Sequence, residues 1–306
     1  MALVRPRLVY LPFRAMAETT RMMLAHGDVA YDDEAIWGAE FQRRKRSGAF
    51  PWGKTPVLEL DRNHWSRPAP NSPRETSEGV APVLGAASSG ARVVAQSGAI
   101  ARWSARLAGC YPTDPRRAAV ADSVYELGQE LCTINPLVNC YTGPDFARVR
   151  NHYYSEVMPQ ALPQLERELE RAAAASSSSP PLLPGEAFFA SRGPEEREEG
   201  GGHPVEVVSD VTLADFNIFH HLDNAQLLEP DLLHGYAALQ RWQERMHALP
   251  RLRRFLKERP VLNGIGEDPG LEDREGVRVT QRSPEGRAWL RDGLWCFDDD
   301  APPIGR

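Results

Sequence analysis

Cysteine is scarce in this chain. Four occur in 306 residues (Cys110, Cys132, Cys140 and Cys296), far apart and without a C-x-x-C pair. That usage suits reduced cytosolic thiols better than a disulfide framework or a zinc site. Long apolar runs are missing as well. No stretch approaches the length of a membrane span, and the opening MALVRPRLVYL is too interrupted by Arg and Pro to serve as a signal peptide. Positive charge is not in excess either. The formal net charge is -6, so a nucleic-acid surface is not the default expectation. Internal repeats are absent. These gaps lead to the expectation of a cytoplasmic protein with neither a membrane nor a nucleic-acid partner.

What is present has the balance of a globular protein: 42% hydrophobic and 25% charged residues. The length suffices for one large domain or two modest ones. Residues 7–11 (RLVYL) read as a strand. AETTRMMLAHG reads as a helix, with Ala17, Thr20 and Leu24 on one face and Gly27 as its stop. VAYDDEAI, TPVLEL at 55–60 and residues 92–96 read as three more strands. Residues 97–108 follow as a helix with Ile100, Trp103 and Leu107 on one stripe. This order makes a small α/β layer.

From Pro115 the period turns helical. Val120, Val124, Leu127, Leu131 and Ile134 step by four, three, four and three, which predicts the core face of one long helix. Further helices are predicted over 145–173, with a kink near Pro159 and Pro163, and over 212–227 and 235–248. Tyr236, Leu239, Trp242 and Leu249 line the last. Three segments interrupt the order. Residues 61–91 are rich in Pro, Ser, Gly and Ala. Residues 175–207 hold SSSSPPLLPG and EEREEGGG and read as a surface loop. Residues 261–306 are rich in Gly, Pro and Asp, with Trp289, Trp295 and Phe297, and lack the periodicity of a packed element.

Several residues invite a chemical reading. Gln96 and Ser97 stand where a strand enters a helix, so Ser97 either caps the helix or joins its free amides in clasping an anion. Pro56 begins a strand, where its missing N–H is tolerated, and the peptide before it is either trans or cis. Tyr10 ends the first strand with Arg14 four residues on. Such a tyrosine either packs or turns its hydroxyl toward an anion in a cleft. In VTLADF, Thr212 would cap a helix, Asp215 would reach back to it and Val211 would pack on Phe216, a folding element. The run Arg43-Arg44-Lys45-Arg46 reads as a solvated basic loop. His220-His221 lack ligand spacing and read as surface or packing residues. Gly264, Gly266 and Gly270 make no nucleotide fingerprint.

Taken in order, LVYLPFRAMAETTR, GKTPVLEL, QSGAIARW, VTLADF and DLLHGYAALQRWQERMHALPRLRRFLKERP resemble the glutathione transferase family over roughly residues 5–260. The likeness is greatest to the sigma class, which includes the glutathione-dependent prostaglandin D synthases. It implies an α/β plus all-α protein: a thioredoxin-like domain over 1–110 with an insert at 61–91, then a helical bundle over 111–260 with an insert at 175–207, and an irregular tail over 261–306.

The resemblance also implies roles. Tyr10 would donate a hydrogen bond to the sulfur of glutathione, a co-substrate, with Arg14 beside it. Gln96 and Ser97 would hold the γ-glutamyl end. Thr55, ahead of Pro56, would pair its backbone with the cysteinyl part, and Lys45 and Phe41 would meet the glycyl end. Glu130 would reach across a homodimer to the partner's glutathione amine. A small hydrophobic electrophile would sit among Leu11, Phe13, Met16, Cys132 and Leu137. The sequence departs from the prostaglandin synthases here. Phe41 stands for a tryptophan, Met16 for an arginine and Leu137 for a large aromatic, which leaves the electrophile open. A glutathione-dependent isomerase and a non-catalytic binding protein are the alternatives.

Overall fold

The computed structural model describes residues 5–11, 14–36, 38–60, 92–134, 146–175, 183–185, 187–191 and 210–259, together with five short strands between 261 and 297. The 61–91 insert, most of the 175–207 insert, Phe13, Leu137 and Cys140 lie outside the described residues. Cys132 is described only as part of a helix backbone.

Four strands form the first sheet: β1 (Arg7–Tyr10), β2 (Asp32–Ala35), β3 (Val57–Leu60) and β4 (Arg92–Ala95). Their order is β2-β1-β3-β4, with β1 parallel to β2 and the other pairs antiparallel. Strand alternation sends neighbouring residues to opposite faces. Leu8, Tyr10, Leu58 and Leu60 therefore pack on one side with Ala15, Ala17 and Ile100. Val9, Val57 and Ala95 pack on the other with Ile36 and Phe50. Helix α1 (Glu18–His26) and helix α3 (Ser97–Leu107) lie together, while α2 (Gly38–Arg46) sends Phe41 to the second face. The β3–β4 ladder runs unbroken from Val57↔Ala95 to Leu60↔Arg92, so the 61–91 insert leaves this pairing intact.

The remaining long helices are α4 (Pro115–Ile134), α5 (Phe146–His152), α6 (Met158–Ala175), α7 (Leu213–Ala225), α8 (Ala237–Ala248) and α9 (Pro250–Glu258). All but α5 contribute to one core that includes Leu131, Leu165, Phe216, Phe219 and Trp242. Helices α4 and α7 meet closely at Gly128, where a Cβ would stand 1.7 Å from Asn217 Oδ1. Between α5 and α6, residues Tyr153–Val157 widen into a π turn just before Pro159. Proline offers no N–H and crowds the carbonyl four residues back, so the helix yields there.

The structure matches the sequence expectation at some of these points and departs from it at others. Leu107 and Val120 are each 43% exposed. Ile100 of the predicted α3 stripe is buried, joined by Ala101, Ser104 and Ala105, and in α4 the predicted Val124 and Leu131 are buried, joined by Ala121 and Tyr125. The basic run 43–46 is the last turn of α2, not a loop, where cations suit the negative end of the helix dipole. Gly27 ends α1 at φ -75°, so it is needed for space and not for a left-handed turn: a Cβ would lie 2.6 Å from Ala108. Of the two readings open to His220 and His221, surface or packing, the structure shows packing: both are buried. The tail holds β5 (Val261–Asn263), β6 (Gly270–Glu272), β7 (Arg278–Thr280), β8 (Ala288–Arg291) and β9 (Leu294–Phe297) in two small antiparallel sheets. β5, β6 and β7 are three residues each, too short for alternation to register.

Candidate functional site

The register of the first sheet assembles the site. Val9 stands opposite Val57, and Val57 opposite Ala95. One step further along the three strands come Tyr10, Pro56 and Gln96. Residues from three separate stretches thus share one edge of the sheet. The parallel strand β2 ends at the same edge, where Ile36 N–H donates to the Tyr10 carbonyl at 2.9 Å before the chain enters α2.

Tyr10 is 5% exposed, its ring packed with Leu8, Ala15 and Ile100. The Thr55–Pro56 peptide is cis. Gln96 is exposed and has φ 75° and ψ 115°, a backbone conformation that L side chains rarely adopt. It stands at the start of α3, and its side chain makes no capping bond. Ser97 directs its hydroxyl to Gln129 Oε1 at 3.4 Å. Sequence reasoning missed Gln129 and chose its neighbour Glu130, which is exposed on α4. The one signal that could have found it is helical phase: Gln129 is four residues past Tyr125, whose ring lies near the start of α3 at Gly98.

Of the two glycyl-end candidates, Phe41 is partly buried and stacked on Phe50, with centroids 5.6 Å apart. Lys45 is exposed. Its neighbours on α2 are engaged elsewhere: Arg43 with Glu40, and Arg44 with both Glu40 and Glu34. Bonds from Arg43 and Arg44 hold the Glu40 carboxyl at about 2. Among the pocket candidates, Leu11 and Met16 are half-buried beside Tyr10's cluster.

A charged seam joins α1, β2, α7 and Arg259, the residue after α9. Glu18 receives Arg259 at 3.1 Å and Arg21 at 3.4 Å. Arg259 also reaches Asp223 at 2.6 Å, and Arg21 grips Asp33 at 2.7 and 3.2 Å. Burial alone would raise the Glu18 pKa. The charges of Arg259, Arg21 and Arg14 outweigh it and hold the carboxyl below its ordinary value. Arg14 Nη1 donates to Asn224 Oδ1 at 3.4 Å. Burial pushes the Cys110 thiol up to about 12, so it is no nucleophile at neutral pH. Among the described residues no cluster of three His, Cys, Asp or Glu side chains is arranged for a metal ion.

Comparison with known proteins agrees with this architecture. The glutathione S-transferase C-terminal domain family matches residues 195–259. A rat hPGDS complexed with a quinoline superposes with a TM-score of 0.57 at 22% identity, covering 84% of this chain and 98% of its own. A Pi-class glutathione S-transferase of Onchocerca volvulus gives 0.58 at 19% identity, covering 83% and 93%.

The chain has the glutathione transferase fold.

Its thioredoxin-like part carries β1–β4 and α1–α3, and its helical part carries α4–α9. Sequence likeness to the glutathione transferases extends over the same span. The hematopoietic prostaglandin D synthase of Gallus gallus is 23% identical over 256 residues, which is 83% of this chain and 96% of the relative. Glutathione S-transferase 1 of Ascaris suum is 24% identical over 258 residues, again 83% and 96%. Relatives in this fold therefore include both transferases and prostaglandin D synthases.

Proposed function

We propose that the protein is a glutathione transferase that activates the thiol of glutathione through Tyr10 and adds it to a hydrophobic electrophile. The observation that carries this reading is the shared sheet edge of Tyr10, Pro56 and Gln96, with Arg14 following. A free thiol titrates near ~8.5, and the thiolate is the nucleophile. A phenol O–H donated to the sulfur, with positive charge from Arg14, stabilises the anion and lowers that value by about one to two units. The released proton passes to solvent, and the sulfur bonds to the electrophilic carbon; with an activated chloronitrobenzene the C–Cl bond then breaks and chloride leaves.

The start of α3 fits the γ-glutamyl end. Its amides and dipole favour a carboxylate, and Gln96 and Ser97 offer side-chain partners. The Thr55 backbone suits the cysteinyl amide, and Lys45 suits the glycyl carboxylate. Half-buried Leu11 and Met16 give an apolar wall for the second substrate. The reading includes a cytoplasmic homodimer in which Glu130 approaches the partner's glutathione amine. Two exposed apolar features support an interface. Trp52 is 74% exposed, and Val120 opens onto a groove of about 460 Å³ between α4 and α6. Trp52→Ala should shift the protein toward monomer in sedimentation; an unchanged dimer removes Trp52 from that role.

A glutathione-dependent isomerase is the second reading, favoured by the likeness to prostaglandin D synthases. Counting thiols before and after turnover separates the two, because an isomerase regenerates free glutathione. The first reading is tested by Tyr10→Phe. Losing one hydrogen bond to a thiolate costs about 1.5–3 kcal/mol, or roughly ten- to a hundredfold in rate. An unchanged rate with an activated chloronitrobenzene would refute it.

A further inference from the structure

Helix α7 packs on α1 and buries five polar side chains, Asp215, Asn217, His220, His221 and Asn224, of which His220 and Asn224 stand one turn apart. His220 Nε2 lies 3.0 Å from the carbonyl of Ala15. A carbonyl only accepts, so Nε2 carries the ring proton and Nδ1 is left as an acceptor. Asn224 Nδ2 faces that Nδ1 at 3.5 Å. The amide orientation follows, and it leaves Asn224 Oδ1 for Arg14 Nη1 at 3.4 Å. Burial keeps the imidazole neutral, with the charges of Arg259 and Arg14 adding to the same effect.

The far end of this chain of bonds is unusual in its backbone. Ala15 has φ 25°, outside the region a non-glycine residue prefers. It begins the short 3-10 turn Ala15–Ala17, and the Arg14 carbonyl accepts from Ala17 and Glu18. The helical half of the protein therefore grips both the side chain of Arg14 and the strained turn that aims it, across about two hundred residues of sequence.

We propose that His220 and Asn224 are positioning residues, holding Arg14 and the Ala15 turn in the place where Arg14 serves the thiolate. This rests on the roles proposed above for Tyr10 and Arg14. Through these two residues the helical domain completes a site that the sheet domain only begins. Glu18, Arg21 and Arg259 keep the same seam ionised from the α1 and α9 sides.

The test uses the full chain and two readouts. In the free protein, nitrogen NMR of the Arg14 guanidinium reports its rotation, which should be hindered in the wild type and released in Asn224→Leu. With glutathione and the activated chloronitrobenzene, Asn224→Leu should lower kcat about five- to tenfold, leave KM for glutathione within about twofold, and move the acidic limb of the pH profile upward. Combined with Arg14→Gln it should cost nothing further, because Asn224 acts through Arg14. Asn224→Asp keeps the acceptor and should restore the hindered rotation. If the leucine variant does not fold, Asn224→Ser, polar but too short to reach, should behave as described for it. Additive losses in the double variant, or unaltered guanidinium rotation, would overturn the proposal. A wild type with no thiolate shift would defeat the reading of Tyr10 instead, and the NMR readout would still decide whether Asn224 holds Arg14.

Discussion

The starts of α3 and α7 pose the same physical problem and solve it differently. Each helix opens with amides that have no partner in their own helix. At α7 the protein supplies everything. Thr212 and Asp215 form a reciprocal capping box, with Thr212 N–H donating to Asp215 Oδ2 at 2.8 Å. The same carboxylate accepts Trp242 Nε1–H at 3.0 Å and Phe189 N–H at 3.1 Å. It is wholly buried, and burial raises its pKa against the pull of these bonds. At α3 the residue in the same position, Gln96, is exposed, strained in backbone and makes no capping bond. One terminus is closed by the fold's own side chains; the other is where the proposed function seats the γ-glutamyl end of glutathione. On that reading the α7 cap serves stability and Gln96 serves binding.

Substitutions can break that contrast. The largest effect is expected from Asp215→Ala, which strands the Trp242, Phe189 and Thr212 donors together in the core. It should destabilise by about 3–5 kcal/mol, read as a loss of Tm. A small loss there would mean that the α7 cap is decorative. The smallest effect on stability should come from Gln96→Gly. Glycine relieves the positive φ, so Tm should hold or rise by up to about 1 kcal/mol of stability while glutathione affinity falls. A glycine variant that loses stability and keeps affinity would reverse the roles assigned to the two termini.

The same contrast explains what was legible in the sequence. The capping box was readable because its partners are three residues apart and because the pattern is local. The sheet edge was readable as separate pieces, Tyr10, Pro56 and Gln96, since strand register then brings them into one row. Helix α2 was not, because Phe41 is nearly its only large apolar residue and Arg43–Arg46 hide any period. Helix α9 has no counterpart in the sequence reading, which ends the preceding helix at 248; Pro250 reads as a stop, yet it stands at the first position of a new helix. The bonds from Arg14 to Asn224 and from Ala15 to His220 had no signal at all. His220 and Asn224 stand among five buried polar residues of α7, and nothing in the sequence sets them apart from Asp215, Asn217 and His221.

Ultraviolet absorbance of the thiolate, followed through a pH titration of protein-bound glutathione in the wild type and in Tyr10→Phe, tests the central claim most directly. The expected result is a thiol pKa about one to two units below the free value in the wild type, returning toward ~8.5 in the variant. Glutathione that binds with an unshifted pKa, or a shift that survives the loss of the Tyr10 hydroxyl, would contradict it.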